Sequence, residues 1–327
     1  MDRQFQTSRD RLEKAAMDLS VVICTHNRAT KLTSVLEHLQ SLVAPGDTSW
    51  EIVVVDNGST DNTPAVIAAV AARGGVPVRY VYEGRPGSGA ARNAGISEST
   101  GEIVALTDDD IFPAVDWLTT IVGEFRRDAE LAGLGGRVEL HNPLDIPVSI
   151  RTRPDRYELS GAWDLMGGLP GGNMAFRRKA LLAVGGFDPD FGAGAMLLSA
   201  EDMELTFRAL KHGQKLVYCP NVLVSHDHGR RTESQLDALF KSYVVGRGAM
   251  YGKHILKLDK SMLRIAYWEM RGTIGAALVD IVHLRLPRRS LVLMYYLFIG
   301  AMLFARTLAT RGLGRLAGKT ALTFLVV

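Results

Sequence analysis

The sequence predicts an α/β fold built on a mostly parallel, doubly wound sheet, with a helical region appended at its C-terminal end. Three observations carry that prediction. Short β-branched runs alternate with helix-like stretches through the first hundred residues, the rhythm of successive βαβ units. A composition of 47% hydrophobic and 22% charged residues over 327 positions supplies a sizeable core and excludes a disordered chain. Charge is divided along the chain: residues 241–327 carry 14 Lys+Arg against 3 Asp+Glu, whereas residues 1–240 carry 24 against 32, beneath an overall net of +3.

The elements follow in order. Residues 1–18 form a polar arm with no apolar leader, which argues against export. "LSVVIC" (19–24) is the first strand, and the spacing after it predicts a helix from Lys31 to Leu42. "EIVVVD" (51–56) is the second strand, followed by the helical "NTPAVIAAVAAR" (62–73). "VPVRYVYE" (76–83) precedes "GSGAARNAGISEST", and "EIVALT" (102–107) is the fourth strand. The stretch Asp227–Gln235 is the clearest organisational break and separates a body, residues 19–230, from a C-terminal region, residues 231–327. The body divides into residues 19–112 and 113–230. Two cysteines, Cys24 and Cys219, show no CxxC pairing and no zinc spacing, and read as buried thiols of a reducing compartment.

In open sheets of this kind, ligands bind beyond the carboxyl ends of the strands. Polar residues collect at those ends: Thr25 to Arg28 after the first strand, Asp56 to Asp61 after the second, Asp108, Asp109 and Asp110 after the fourth. Asn27 or Thr30 as a helix cap, and "DNGST" as a plain turn, would explain single cases. Three successive strand ends are harder to explain that way. Adjacent carboxylates are tolerated when a divalent cation neutralises them, and hard oxygen ligands suit Mg²⁺ or Mn²⁺, which complete their shells with water and substrate phosphates. A diphosphate is therefore the expected ligand. "GRPGSGAARNAG" (84–95) superficially matches a dinucleotide fingerprint, but Arg92 replaces its third glycine and it follows the third strand, which argues against a nicotinamide enzyme. Arg92 reads either as an anion contact or as a surface helix arginine.

Taken together, "SVVICTHNR", "EIVVVDNGSTDNT", "PGSGAARNAGI", "LTDDDIFP", "GGNMAFRRKALLAVGGFDPDFG", "AEDMELTFRALKHGQKLVYCP" and "VSH" resemble family 2 glycosyltransferases with the GT-A fold over residues 19–230. The resemblance implies a nucleotide-sugar donor, a divalent metal and inversion at the anomeric carbon by a hexosyl- or deoxyhexosyltransferase of cell-envelope glycan synthesis. It places Asp56 on the base, as acceptor of the imide N–H that uracil and thymine carry, so the donor is of UDP or dTDP type. Thr25, Asn27, Arg28 and Asn57 frame the nucleotide pocket and Arg92 approaches the diphosphate. Its DxD motif falls on Asp108, near ribose and metal, and Asp110, on the metal; Asp109 takes part if the register shifts by one. His226 matches the late histidine that completes the metal site, with His228 as alternative beside Arg230 and Arg231. The resemblance selects Asp202 as the base, although Ser199-x-x-Asp202 is also a capping-box pattern and Glu201 and Glu204 stand close by. Gly171, Gly172, Asn173, Glu201 and Trp163 form the acceptor wall, Trp163 being equally suited to a core.

A sugar-phosphate nucleotidyltransferase would open with a glycine-rich loop after its first strand, and "CTHNR" has no glycine. A non-catalytic sugar-nucleotide scaffold would not need both the acidic cluster and Asp202. Nucleic acid is not an expected partner, because the cations of the tail alternate with long aliphatic runs and no stacking platform. "SLVLMYYLFIGAMLFA" (290–305) falls just short of a spanning length, and the arginines before it fit an anionic membrane surface. Interfacial lying at the cytoplasmic face of the membrane, with a glycan or lipid-linked acceptor, is the expectation; an oligomer interface is the other use of such a tail.

Overall fold

The computed structural model describes residues 17–160, 164 and 168–323, with side chains placed through residue 310. From the start, the chain runs β1 (Met17–Thr25), α1 (Ala29–Gln40), β2 (Trp50–Asp56), α2 (Thr63–Ala72), β3 (Val78–Tyr82), α3 (Ser88–Glu98) and β4 (Gly101–Asp108). It continues through β5 (Ile111–Pro113), α4 (Trp117–Arg127), β6 (Leu131–Leu140), β7 (Tyr157–Glu158), β8 (Met174–Arg177) and α5 (Arg178–Ala183). Then come α6 (Glu201–Lys211), β9 (Lys215–His226), α7 (Glu233–Ile255), α8 (Lys260–Val282) and α9 (Arg288–Thr323).

The sheet has the order β3-β2-β1-β4-β8-β6-β9-β5, with β7 against β9. β1 to β4 are parallel, as their βα rhythm predicts. Their central strands are buried along nearly their whole length, which is why they read as continuous Val/Ile runs. Alternate residues serve opposite faces: Val21 and Ile23 pack toward α1, α2 and α4, and Val22 packs toward α3, α5 and α6. The second half is mixed rather than parallel. β8 runs antiparallel to both β4 and β6; it enters from a loop at residues 168–173, and among the described residues no crossover helix lies between β6 and β8. Register then levels the strand ends: Thr25 pairs with Asp56, and Cys24 with Asp108.

The C-terminal helices are part of the same packed body. α7 begins with a complete capping box between Thr232 and Gln235. The expected break at Asp227–Gln235 is pinned: Lys31 pairs with Asp227, and Asp145 takes both the Gly229 N–H and the Arg231 guanidinium, each at 2.8 Å. A Cβ on Gly248 would stand 2.1 Å from the Leu297 carbonyl oxygen, and one on Gly300 would stand 2.0 Å from that of Val245, so α7 and α9 touch backbone to backbone. Phe191, Leu197 and Phe207 share a core with Val244, Met250, Met262, Ile265, Leu297 and Phe304. The apolar run of α9 is longer than its uncharged stretch: Arg288–Thr310 is long and apolar enough to cross a membrane by length and composition, and little of it is covered.

One buried ionic cluster clamps the two parts. Glu204 of α6, fully buried, accepts from Arg208 on its own helix and from Lys253 and His254 on α7. Lys253 also reaches Asp188 at 2.7 Å. Burial alone would raise the pKa of Glu204, but His254, Arg208 and Lys253 outweigh it and hold the carboxyl well below its ordinary range. A carboxyl lowered in this way stabilises the fold fully above its ordinary value of 4.5 and ceases to do so as pH falls. Glu204→Gln should therefore cost about 3–5 kcal/mol at pH 7, the range for stripping one partner from a buried pair. Urea unfolding at pH 7 and pH 4 checks this: the gap between wild type and variant should shrink at the lower pH, and a gap independent of pH would contradict it.

Candidate active site

The cleft opens where β1 and β4 lie side by side and the loops that follow them diverge, the switch point of the sheet. Thr25 Oγ1 donates to Asp109 Oδ2 at 2.7 Å. Arg28 Nη1 reaches Asp109 Oδ1 at 2.9 Å and Asp110 Oδ2 at 2.7 Å. Arg92, buried in the first turns of α3, donates to Asp108 Oδ1 at 2.9 Å and to Glu201 Oε1 at 2.7 Å. His226, the last residue of β9, places Nε2 3.3 Å from Asp110 Oδ1. Each carboxylate of the triplet thus faces a cation.

Those contacts divide the triplet by acidity. Burial, with the neighbouring Asp110 and Asp108 charges, pushes Asp109 up to about 6 against the pull of Arg28 and Thr25. Burial opposes ionisation of Asp110 too, but there His226 and Arg28 win and hold it well below the usual carboxylate range. Asp110 remains charged while Asp109 takes up a proton near pH 6. Cys24, on the same wall, has its thiol pushed up to about 12 by burial and stays neutral.

Asp202 sits in the first turn of α6. The capping-box reading is not realised: the helix is entered through Ala200 at φ 70°, and Ser199 Oγ donates to the Ser242 carbonyl instead. Asp202 Oδ1 accepts the Met203 N–H at 2.7 Å, and Oδ2 accepts the Gly171 N–H at 3.0 Å. Burial and the Glu201 charge raise its pKa to about 6, with Arg92 and the two amides pulling the other way. A Cβ at Gly172 would lie 2.8 Å from Asp108 Oδ2, so the side-chain-free loop is what lets Asp108 face the cleft.

A cavity of about 750 Å³ gathers Thr25, Arg28, Asn57, Arg92, Asp108, Asp110, Gly171, Gly172, Glu201, Asp202 and His226. Other expected residues lie elsewhere. Asn27, at φ 53°, neither lines the cavity nor caps α1; its Oδ1 accepts the Thr60 and Asp61 amides, and Asp61 meets the Ala29 N–H of α1. Asp56 is buried, taking the Ser59 N–H on one oxygen and the Tyr80 hydroxyl on the other. Asn173 is a correction to the acceptor wall: it is fully buried, with its amide satisfied by Trp117, Arg137 and Val222, so it ties strands together. His228, the alternative to His226, is buried; burial and the charges of His226 and Arg230 lower its pKa, and its Nδ1 accepts the Arg230 N–H. Trp163 lies outside the described residues. Sequence reasoning missed Ser149, Arg151, Leu239, Ser242, Tyr243 and Arg247 on the cavity wall. "TESQ" marks where α7 starts, but nothing local says which of its faces meets the cleft.

The donor set suits a hard divalent cation. An imidazole nitrogen and a carboxylate oxygen 3.3 Å apart are near the roughly 3 Å edge between adjacent ligands of an octahedron with bonds of about 2.1 Å. Among the described residues no three His, Cys, Asp or Glu side chains form a ready-made cage. Such an ion would draw the rest of its shell from water and phosphate.

The profile of "Glycosyl transferase family 2" matches residues 20–185, and that of "Glycosyl transferase family group 2" matches residues 156–322. The chain is 29% identical over 218 residues to the pre-mycofactocin glycosyltransferase of Mycobacterium tuberculosis, covering 64% of this chain and 43% of that protein. It thus spans less than half the length of that relative. With the glucosyl-dolichyl phosphate glucuronosyltransferase of Haloferax volcanii it shares 26% identity over 259 residues, 74% and 78% of the two chains. Among solved structures, the mannosyltransferase PcManGT from Pyrobaculum calidifontis, in complex with GDP-Man and Mn²⁺, aligns with a TM-score of 0.57 at 21% identity, over 89% of this chain and 88% of its own. S. aureus TarS residues 1–349, in complex with UDP-GlcNAc, align with a TM-score of 0.53 at 19% identity, over 71% and 66%. With the family profile over half the sequence and the GT-A fold around the cleft, the chain belongs to glycosyl transferase family 2.

Proposed function

We propose that this chain is a metal-dependent, inverting glycosyltransferase that moves a sugar from a UDP- or dTDP-sugar to a hydroxyl of a lipid-linked or polysaccharide acceptor in cell-envelope glycan synthesis. One observation carries the reading: Asp202, with a raised pKa, faces the same cavity as Asp108, Asp110 and His226, and Arg92 joins the two groups by bonding both Asp108 and Glu201.

In this reading the Gly171 and Met203 amides hold the Asp202 carboxylate in one orientation. It takes the proton of the acceptor hydroxyl as that oxygen attacks the anomeric carbon, opposite the departing diphosphate. Arg28 and Arg92 supply fixed positive charge where the leaving group gains negative charge. Mn²⁺ or Mg²⁺, held by Asp110, Asp108 and His226, adds further positive charge there when bound. Asp56 receives the imide N–H of the base once the half-exposed Tyr80 hydroxyl gives up that oxygen. Apolar residues exposed on α8 and α9, among them Leu278, Val282, Leu291, Tyr295 and Phe298, bring the cleft to the cytoplasmic face of a membrane.

Asp202→Asn should lower transfer by about 10²–10⁴-fold, the usual worth of a general base, while UDP affinity measured with Mn²⁺ changes less than about twofold. Transfer at the wild-type rate would remove Asp202 from this role. Because the base works ionised and titrates near pH 6, wild-type kcat/KM should fall about tenfold per pH unit below that point and level above it. Asp110→Ala should abolish the strengthening of UDP binding by Mn²⁺, read by calorimetry; an unchanged dependence on Mn²⁺ would contradict the ligand assignment.

A further inference from the structure

Leu198 and Ala200 both lie in the left-handed region, at φ 68° and 70°, on either side of Ser199. Asp202 follows at once, in the first turn of α6. Left-handed backbone brings Cβ too close to the following carbonyl oxygen, so two non-glycine residues there within three positions are strained. Such strain persists only where the surroundings over-determine it, and it gathers at working sites. No side-chain hydrogen bond caps α6 at this end. Tertiary contacts, not local preference, must hold this entry.

α7 supplies them. Ser199 Oγ donates to the Ser242 carbonyl at 2.8 Å, and Ser242 Oγ returns a bond to the Leu198 carbonyl at 3.3 Å. One turn further along α7, Gly246 lies against the same residue. A Cβ there would stand 2.6 Å from the Ser199 carbonyl oxygen and 2.2 Å from its Oγ, so the approach needs a residue without a side chain. Leu197 and Ala200, flanking the latch, are buried in the core that holds Val244 and Ala249 of α7. α7 is itself seated, by its backbone contact with α9 and by Lys253 on Glu204. At the other end of the path, the Asp202 carboxylate is tied to the Gly171 and Met203 amides. Relaxing residues 198–200 toward commoner backbone regions would turn the start of α6 and carry that carboxylate away from Gly171.

We infer that Ser199, latched to Ser242 and packed on Gly246 of α7, is a positioning residue: it holds the left-handed turn that aims Asp202 into the cleft. The inference rests on the reading of Asp202 as the base and adds the group that orients it. α7 thereby fixes the geometry of a residue it does not carry.

The test reads amide hydrogen exchange at Gly171 and Met203, whose acceptor is Asp202, in the full chain without substrate. Ser199→Ala removes the latch hydroxyl, and Gly246→Ala drives a methyl group against the Ser199 backbone. Each should speed exchange at both amides by about tenfold or more, while β2 amides keep their protection and UDP affinity with Mn²⁺ stays within about twofold. Transfer should lose about tenfold or more in kcat with donor KM within about twofold, because a misplacement of about 1 Å can cost on the order of a hundredfold. Adding Ala200→Gly to Ser199→Ala should restore most of the protection, since glycine takes a φ of 70° without a Cβ clash. Unchanged exchange at Gly171 and Met203 in Ser199→Ala would overturn the inference, whether or not Gly246→Ala folds. So would faster exchange confined to α7, which would make the latch a fastening for that helix alone, or a loss that Ala200→Gly fails to repair. Wild-type transfer by Asp202→Asn would defeat the base reading instead, a separate outcome, and the exchange rates would still decide what holds residue 202.

Discussion

Charge balance at the carboxyl ends of β1 and β4 governs the rest of the molecule. Parallel register sets Thr25 level with Asp56 and Cys24 level with Asp108, so whatever follows these strands is crowded into one corner. Three carboxylates in a row would repel one another there. Arg28, from the loop after β1, and Arg92, from α3, reach them from two sides, and His226 closes the third. None of these three groups is local to the aspartates in sequence. The fold tolerates the cluster by spending arginines on it and by letting Asp109 carry a proton more readily than Asp110.

That same balance extends to α6. Arg92 holds Glu201, so the charge beside Asp202 is partly met, and what remains, together with burial, raises the Asp202 pKa. Two residues further on, Glu204 faces away from the cleft into the clamp made by Lys253 and His254. One short acidic run therefore does two things on two faces of a helix: it presents a carboxyl to the cavity and fastens α7 to the body. α7 is consequently both a wall of the cleft and a partner of α9, with which it packs through Gly248 and Gly300. The apolar surface of α8 and α9 is thereby tied to the chemistry by a rigid, buried connection and not by a loose tether.

Much of the fold was legible because its signals are local. β-branched runs broken by helical spacing give strand, helix and strand in β1 to β4, and the observed ends differ from the sequence expectation by only a few residues. The mixed second half was not legible, since the direction of a four-residue strand such as β8 depends on the path of the loop that delivers it. The span of α9 was underestimated because counting uncharged residues stops at Ser290 and Ala305, while a helix continues through flanking arginines. Asn173 was misplaced for a related reason: an amide in a glycine-rich loop looks alike in sequence whether it faces a ligand or, as here, Trp117 and two carbonyls.

By itself the sequence determined the inventory: an α/β body, a run of aspartates closing an apolar strand, an acidic helix start at Glu201–Glu204, late histidines and a basic, apolar tail. These are properties of neighbouring residues, and neighbouring residues are what periodicity and spacing report. Tertiary structure alone decided which histidine faces the cavity, which arginines neutralise which aspartates, that Ser199 does not cap α6, and that Arg230, Tyr243 and Arg247 stand on the same wall as Asp202. Those outcomes join residues tens to hundreds of positions apart, and they are set by packing and charge compensation across the whole chain.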